Sequence, residues 1–228
     1  MPTTSWNKRW ARDLSRFRGN IGYYGDHWGD PSLDGLPLLW RKLRHGERPP
    51  GDLAKVVRRY LRPYVTAEAR VLEIGPGGGR WTQFLLPARE LVLVDLNAEF
   101  FPYLEDRFRD QAAKLRFYQT SGYELAGIEA EYVDFVFSFG TFVHITPEGI
   151  DAYLGEIARV LRPGGTASIQ YADRTKKFFR NAAREGYHGF SDMTGDRMEA
   201  LLQRRGFHLA EHDRAVLKHS NVAVFRKR

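Results

Sequence analysis

The chain has 228 residues, 43% hydrophobic and 14% aromatic, enough for one sizeable core and too few for two full domains. It has no cysteine, which excludes disulfides, thiolate metal centres, iron–sulfur clusters and any reaction that needs a cysteine nucleophile. A net charge of +7 fits either a phosphate-bearing partner or an ordinary solvated surface; the basic pairs Arg58-Arg59, Lys176-Lys177 and Arg204-Arg205 are scattered without interleaved aromatics, which favours the second.

No apolar run approaches the length of a membrane span, and Met1 to Arg18 is rich in Arg and Trp without an apolar stretch. Neither a spanning helix nor a secretory leader is expected, and the chain reads as cytoplasmic. Residues 1–50 differ in character from the rest of the chain. They carry Trp6, Trp10, Trp28 and Trp40 together with Tyr23, Tyr24 and the run Gly25-Asp26-His27-Trp28-Gly29-Asp30. Such a segment makes short helices and loops whose aromatics need burial. It is either padding on the core or a lid over a ligand cleft; as a lid, it offers Tyr23, Tyr24, His27 and Trp28 as candidate substrate contacts. The division expected is a lid segment at 1–50 and one α/β domain at 51–228.

Between Asp52 and Tyr64 the residues Leu53, Val56, Val57, Tyr60 and Leu61 recur at helical spacing, and Arg62-Pro63 ends the run. Strands and helices then alternate. Strands are expected at 70–74, 91–95, 115–119, 133–138 and 166–171, with helices at about 80–87, 98–109 and 147–161. A turn at 161–165, a helix at 194–205 and strands at 207–213 and 220–226 complete the pattern. It predicts a seven-stranded, mostly parallel sheet with helices on both faces and an antiparallel C-terminal edge.

The first strand, Arg70 to Ile74, runs directly into Gly75-Pro76-Gly77-Gly78-Gly79 and an expected helix opening at Arg80-Trp81-Thr82. A strand passing through glycines into a helix start collects backbone N–H groups and a positive helix end at one point, which suits a nucleotide or nucleoside. A dinucleotide fingerprint would put a small residue where Arg80 stands. The second strand, Leu91-Val92-Leu93-Val94-Asp95, ends in an acid able to accept both hydroxyls of a ribose.

Glu73 with glycines at 75, 77 and 79 resembles motif I of the class I S-adenosylmethionine (SAM)-dependent methyltransferases. Val133 to Ser138 resembles their motif IV, and Ala158-Arg159-Val160-Leu161-Arg162-Pro163-Gly164-Gly165 is similar to their turn before strand five. The resemblance spans roughly residues 55–228. It implies a Rossmann-like fold, SAM as cofactor, and cofactor contacts at Glu73, Gly75, Pro76, Gly77, Gly79, Trp81, Asp95, Leu96, Ser121, Gly122 and Ser138. Three further stretches, Gly79 to Gln83, Phe137-Ser138-Phe139 with Val143-His144, and Ser191 to Thr194, resemble a bacterial subgroup associated with methylation of sugars in polysaccharide and glycoside pathways. One departure concerns the adenine. Many relatives carry an acid after strand three, where this chain has Ser121, a neutral and weaker acceptor.

Methyl transfer is an in-line displacement in which the protein mainly aligns the reactants. A hydroxyl acceptor also needs a base. Residues 139–144 follow strand four on the ligand-binding rim, so His144 is the candidate base; the alternative is a histidine hydrogen-bonded at the helix entry beside Thr146-Pro147. Thr141, Tyr171, Asp173 and His188 are further candidate substrate contacts, and Phe178, Phe179, Tyr187 and Phe190 a second wall of the site. No metal-ligand spacing is visible and no metal is expected. The expected partner is a small-molecule or oligosaccharide acceptor, bound by a monomer or homodimer. Alternatives are a phenol or carboxyl acceptor, RNA, and a scaffold of the same fold without catalysis.

Overall fold

The computed structural model describes residues 30–46, 51–179 and 189–228. Helix α1 is Gly35–His45, opened by the Asp34 side chain accepting from the Gly35 N–H and closed by Gly46 in the left-handed region, at φ +66°. The apolar run after Asp52 is helical as expected. It begins as α2, Leu53–Lys55, capped by Asp52, continues as a π-helix over Val56–Leu61 and ends as a 3-10 turn at Arg62–Tyr64. Leu53, Val56, Val57, Tyr60 and Leu61 are all buried.

Seven strands form one sheet: β1 Arg70–Ile74, β2 Glu90–Asp95, β3 Leu115–Gln119, β4 Val133–Ser138, β5 Leu161–Ala172, β6 Phe207–Asp213 and β7 Ser220–Lys227. Their order is β3-β2-β1-β4-β5-β7-β6. The pairs among β1 to β5 are parallel, whereas β7 runs antiparallel to both β5 and β6. The expected turn at 161–165 is instead the start of β5, joined through a register shift opposite Val133 and Phe135.

The sheet is buried on both faces, and the two-residue side-chain period sorts its residues. Val71, Leu91, Leu93, Phe135 and Phe137 pack with the 53–61 helical segment. Leu72, Ile74, Val92, Val94 and Val136 pack with α4, Pro147–Val160, and α5, Gly195–Arg204. Both helices are capped by threonines, Thr146 and Thr194. Between β2 and β3 lie a 3-10 turn at Ala98–Phe100 and α3, Phe101–Arg107.

The chain adds β2 and β3 on one side of β1 and then crosses to place β4 on the other. The carboxyl ends of β1 and β4 therefore flank a topological switch point, where ligands of open α/β sheets bind. The helix expected at about 80–87 is only a 3-10 turn, Thr82–Phe84.

Candidate active site

Two side chains of the β4 end tie the tip of β1 in place. The Ser138 hydroxyl donates to the Ile74 carbonyl at 2.7 Å, and the Thr141 hydroxyl approaches the same oxygen at 3.4 Å. The Gly75 N–H donates to the Val94 carbonyl at 2.8 Å, fixing the start of the loop to β2. Gly75, Gly77 and Gly79 have φ of +75°, +52° and +86°, a region that residues with a Cβ rarely enter. A Cβ on Gly75 would also overlap the Thr141 side chain. On Gly79 it would lie 2.7 Å from the Phe108 ring and 2.8 Å from Leu104 of α3. Arg107, the last residue of α3, donates to the Gly78 carbonyl at 2.6 Å and holds the loop from outside.

Asp95, at the end of β2, accepts from the Gly77 N–H at 3.2 Å on one carboxylate oxygen and from the Asn97 N–H at 2.9 Å on the other. Each oxygen retains a further acceptor position, so the carboxylate can take two more hydrogen bonds side by side. That is what a ribose diol requires. Burial pushes Asp95 up to about 6, partly offset by the backbone N–H donors of Asn97, Gly77 and Leu96. Leu96 beside it is 39% exposed, an apolar surface next to the carboxylate. A glycine loop held open by α3 and β4 beside a two-oxygen acceptor fits the adenosyl part of SAM.

In the turn after β3, the Ser121 N–H and hydroxyl both donate to Glu124 at 2.7 Å. The hydrogen bond from the Ser121 side chain is the main cause that holds Glu124 below its ordinary value, so it is a carboxylate at neutral pH. A Cβ on Gly122 would sit 3.0 Å from the second Glu124 oxygen. An acid three residues later, Glu124, is thus folded back onto position 121 in the same turn. The sequence signal for it was present, an acid at 124, but spacing alone does not fold it back over Ser121.

Several residues named from the sequence turn inward. Glu73 is buried and accepts from the Thr82 hydroxyl at 2.6 Å. Trp81, 4% exposed, lies against Phe139 with ring centroids 4.1 Å apart and against Phe137 at 5.6 Å. Pro76 is buried within the loop. Tyr171 and Asp173, named from the sequence as candidate substrate contacts, are bonded to other side chains at the β5 end. Tyr171 is fully buried, with its hydroxyl 2.5 Å from His212 Nε2 and accepting from Asn221 at 3.1 Å. Asp173 accepts from Thr175 at 2.7 Å and from Asn221 at 2.7 Å. Tyr23, Tyr24, His27, Trp28, His188 and Tyr187 lie outside the described residues.

His144 ends the 3-10 turn Phe142–His144. Its Nδ1 is 2.5 Å from the Gly189 carbonyl, and its ring stacks on Phe190 with centroids 5.4 Å apart at 24°. A carbonyl can only accept, so Nδ1 carries the proton and the basic lone pair of the neutral ring is on Nε2. The Ser191 N–H donates to the Val143 carbonyl at 2.7 Å and latches the 189–192 segment to this turn. Phe178 and Phe179 pack edge-on to Phe190 at 5.9 and 5.1 Å, and His219 lies 5.2 Å from it. This wall is anchored by Lys176, whose Nζ donates to the carbonyls of Arg214, Leu217 and Ser220 at 2.7–2.8 Å. His219, in the loop between β6 and β7, had no signal in the sequence; burial, and then the Lys176 charge, push it down to about 4, so it is neutral at pH 7.

A separate cleft lies at the opposite end of the sheet, lined by Tyr64, Glu68, Asp134, Arg162 and Thr166. It is on the far side of the sheet from the glycine loop and His144. Among the described residues no group of three or more His, Cys, Asp or Glu is placed to hold a metal ion.

Residues 71–165, from β1 into β5, match a family described as a methyltransferase domain. No curated protein sequence matches the chain. Solved structures share the fold at low identity. A SAM-dependent methyltransferase from Methanosarcina mazei is 17% identical with a TM-score of 0.60, over 74% of this chain and 97% of that one. A Galdieria sulphuraria protein with a suggested sarcosine dimethylglycine methyltransferase activity is 16% identical with a TM-score of 0.67, over 95% and 97%. The PH0226 protein from Pyrococcus horikoshii is 16% identical with a TM-score of 0.63, over 94% and 99%.

Proposed function

We propose that this SAM-dependent methyltransferase, so assigned by the methyltransferase-domain match over residues 71–165, transfers its methyl group to a hydroxyl of a sugar, glycoside or oligosaccharide. The cofactor supplies a sulfonium methyl, already electrophilic. The loop from Gly75 to Gly79 and the Asp95 carboxylate would hold its ribose, Leu96 would offer apolar surface to the adenine, and the Ser121–Gly122–Glu124 turn would accept from the adenine amino group.

The observation that carries the acceptor reading is the hydrogen bond from His144 Nδ1 to Gly189. An aliphatic hydroxyl reacts only as its proton leaves, and a base positioned for that proton typically contributes 10²–10⁴-fold. With Nδ1 occupied as a donor, Nε2 is the nitrogen that takes the proton. Phe178 and Phe190, backed by the buried Phe179, supply apolar faces of the kind that stack on the C–H faces of sugar rings. Thr141, on the same turn, offers a hydroxyl to orient the acceptor.

The test is turnover against a panel of glycosides and phenols, read as a mass gain of one methyl group. Methylation of glycosides that His144→Ala abolishes supports the reading. Turnover of phenols or carboxylates alone would replace it.

A further inference from the structure

We propose that α1 is a membrane-surface element that seats this protein on anionic lipid. Its sequence places Leu36, Leu39, Trp40 and Leu43 at helical positions i, i+3, i+4 and i+7, one apolar stripe. All four are exposed, at 75%, 51%, 65% and 80%. Lys42 and Arg44 are exposed as well and flank that stripe on its two sides, while the helix contains no Asp or Glu. Arg44 lies over the Trp40 ring at 5.9 Å, so the aromatic and the cation share one surface.

An isolated helix of 11 residues is marginal in water, and its stability normally comes from covering its apolar face. Here the described polar links are Asp34 with Arg58 at the start of the helix and, within the segment itself, Asp30 with Arg41 at 3.9 Å. They fix the base of the helix and leave the stripe facing outward. Three kinds of surface could cover it, and the charges choose among them. Two copies packed stripe to stripe would bring the flanking cations of both helices together, which repels. A protein partner would need carboxylates on both sides of an apolar groove. An anionic bilayer meets both demands at once: acyl chains take the leucines, the interface takes Trp40, and the headgroups take Lys42 and Arg44. One such helix gives reversible, salt-sensitive adsorption rather than permanent anchoring.

The experiment is flotation of the full chain with vesicles of phosphatidylcholine and phosphatidylglycerol, against phosphatidylcholine alone. Binding is expected to the anionic vesicles only, and to fall as salt is raised. Leu39→Glu with Leu43→Glu should lower that binding at least about tenfold while the melting temperature and SAM affinity stay as in the unaltered protein. Absence of binding to anionic vesicles, or equal binding by the double variant, would overturn the proposal. So would a dimer in solution that the double variant dissociates, since a second copy would then hold the stripe.

Discussion

The Thr82 hydroxyl donates to the Glu73 carboxyl at 2.6 Å, and both residues are buried. Burial, with a smaller contribution from the nearby Asp95 charge, pushes Glu73 up to about 8, against the lowering effect of the Thr82 bond. Between its ordinary value of 4.5 and about 8 the folded protein binds a proton that the unfolded chain does not. Stability is therefore lost as pH rises through that window. Glu73→Gln keeps the acceptor for Thr82 and removes the ionisation. The variant is expected to melt higher than the unaltered protein at pH 8, with the gap shrinking toward pH 5. Melting curves at the two pH values check this, and a variant that melts lower at both would count against it.

Gly75→Ala combines a left-handed φ of +75° with an overlap onto Thr141. The backbone alone should cost about 1–2 kcal/mol. Thr141→Ala by itself should be mild, because its hydroxyl makes only a long contact to Ile74. In the double variant the overlap with the hydroxyl is gone, while a 3.0 Å approach to the Cβ at 141 and the backbone strain remain, so stability should recover in part. Denaturant titration of the four proteins measures the coupling.

His144→Ala should lower kcat by about 10²–10⁴-fold if an aliphatic hydroxyl is the acceptor. SAM affinity should be unchanged, because His144 is held by Gly189 and Phe190 and not by the glycine loop. Single-turnover kinetics with calorimetry of SAM binding separates the two effects.

In the adenine turn, Ser121→Ala removes one donor to Glu124 and leaves the carboxylate and the Ser121 N–H bond in place. Glu124→Ala removes the charged acceptor itself. The second should weaken SAM binding by about tenfold or more, and the first by less, in line with hydrogen bonds to charged groups being the stronger. Equal losses would mean that Ser121 is the contact.

The strands were legible because their signal is local. Arg70–Ile74, Leu115–Gln119 and Val133–Ser138 are found at the expected residues, each an apolar run broken by turn residues. The helix expected after the glycine loop was not, because the physics there is tertiary. Gly78 and Gly79 are poor helix formers and Pro87 closes the segment, so too few residues remain to nucleate α-helix. The Thr82 side chain goes to Glu73, and Trp81 is drawn onto Phe139. Asp95 could be picked out as the acid ending a strand. Tyr171 and Asp173 could not be excluded, since a strand's last residues look alike in sequence whether they face a crevice or an antiparallel edge. Asn221 and His212, 50 and 41 residues further along the chain from Tyr171, bond its hydroxyl, and Asn221 also donates to Asp173. Glu124 and His219 reach Ser121 and Phe190 through turns whose shape no periodicity encodes.

Calorimetric titration of SAM into Asp95→Asn is the most direct test, because the cofactor site is built around the carboxylate that Gly77 and Asn97 orient at the tip of β2. Loss of two charge-assisted hydrogen bonds to a ribose should weaken binding by roughly 100-fold, with the variant still folded by its melting curve. Binding in the unaltered protein should also fade as pH drops below about 6, where Asp95 takes up its proton. A folded Asp95→Asn protein that binds SAM as tightly as the unaltered chain would contradict the site described for it.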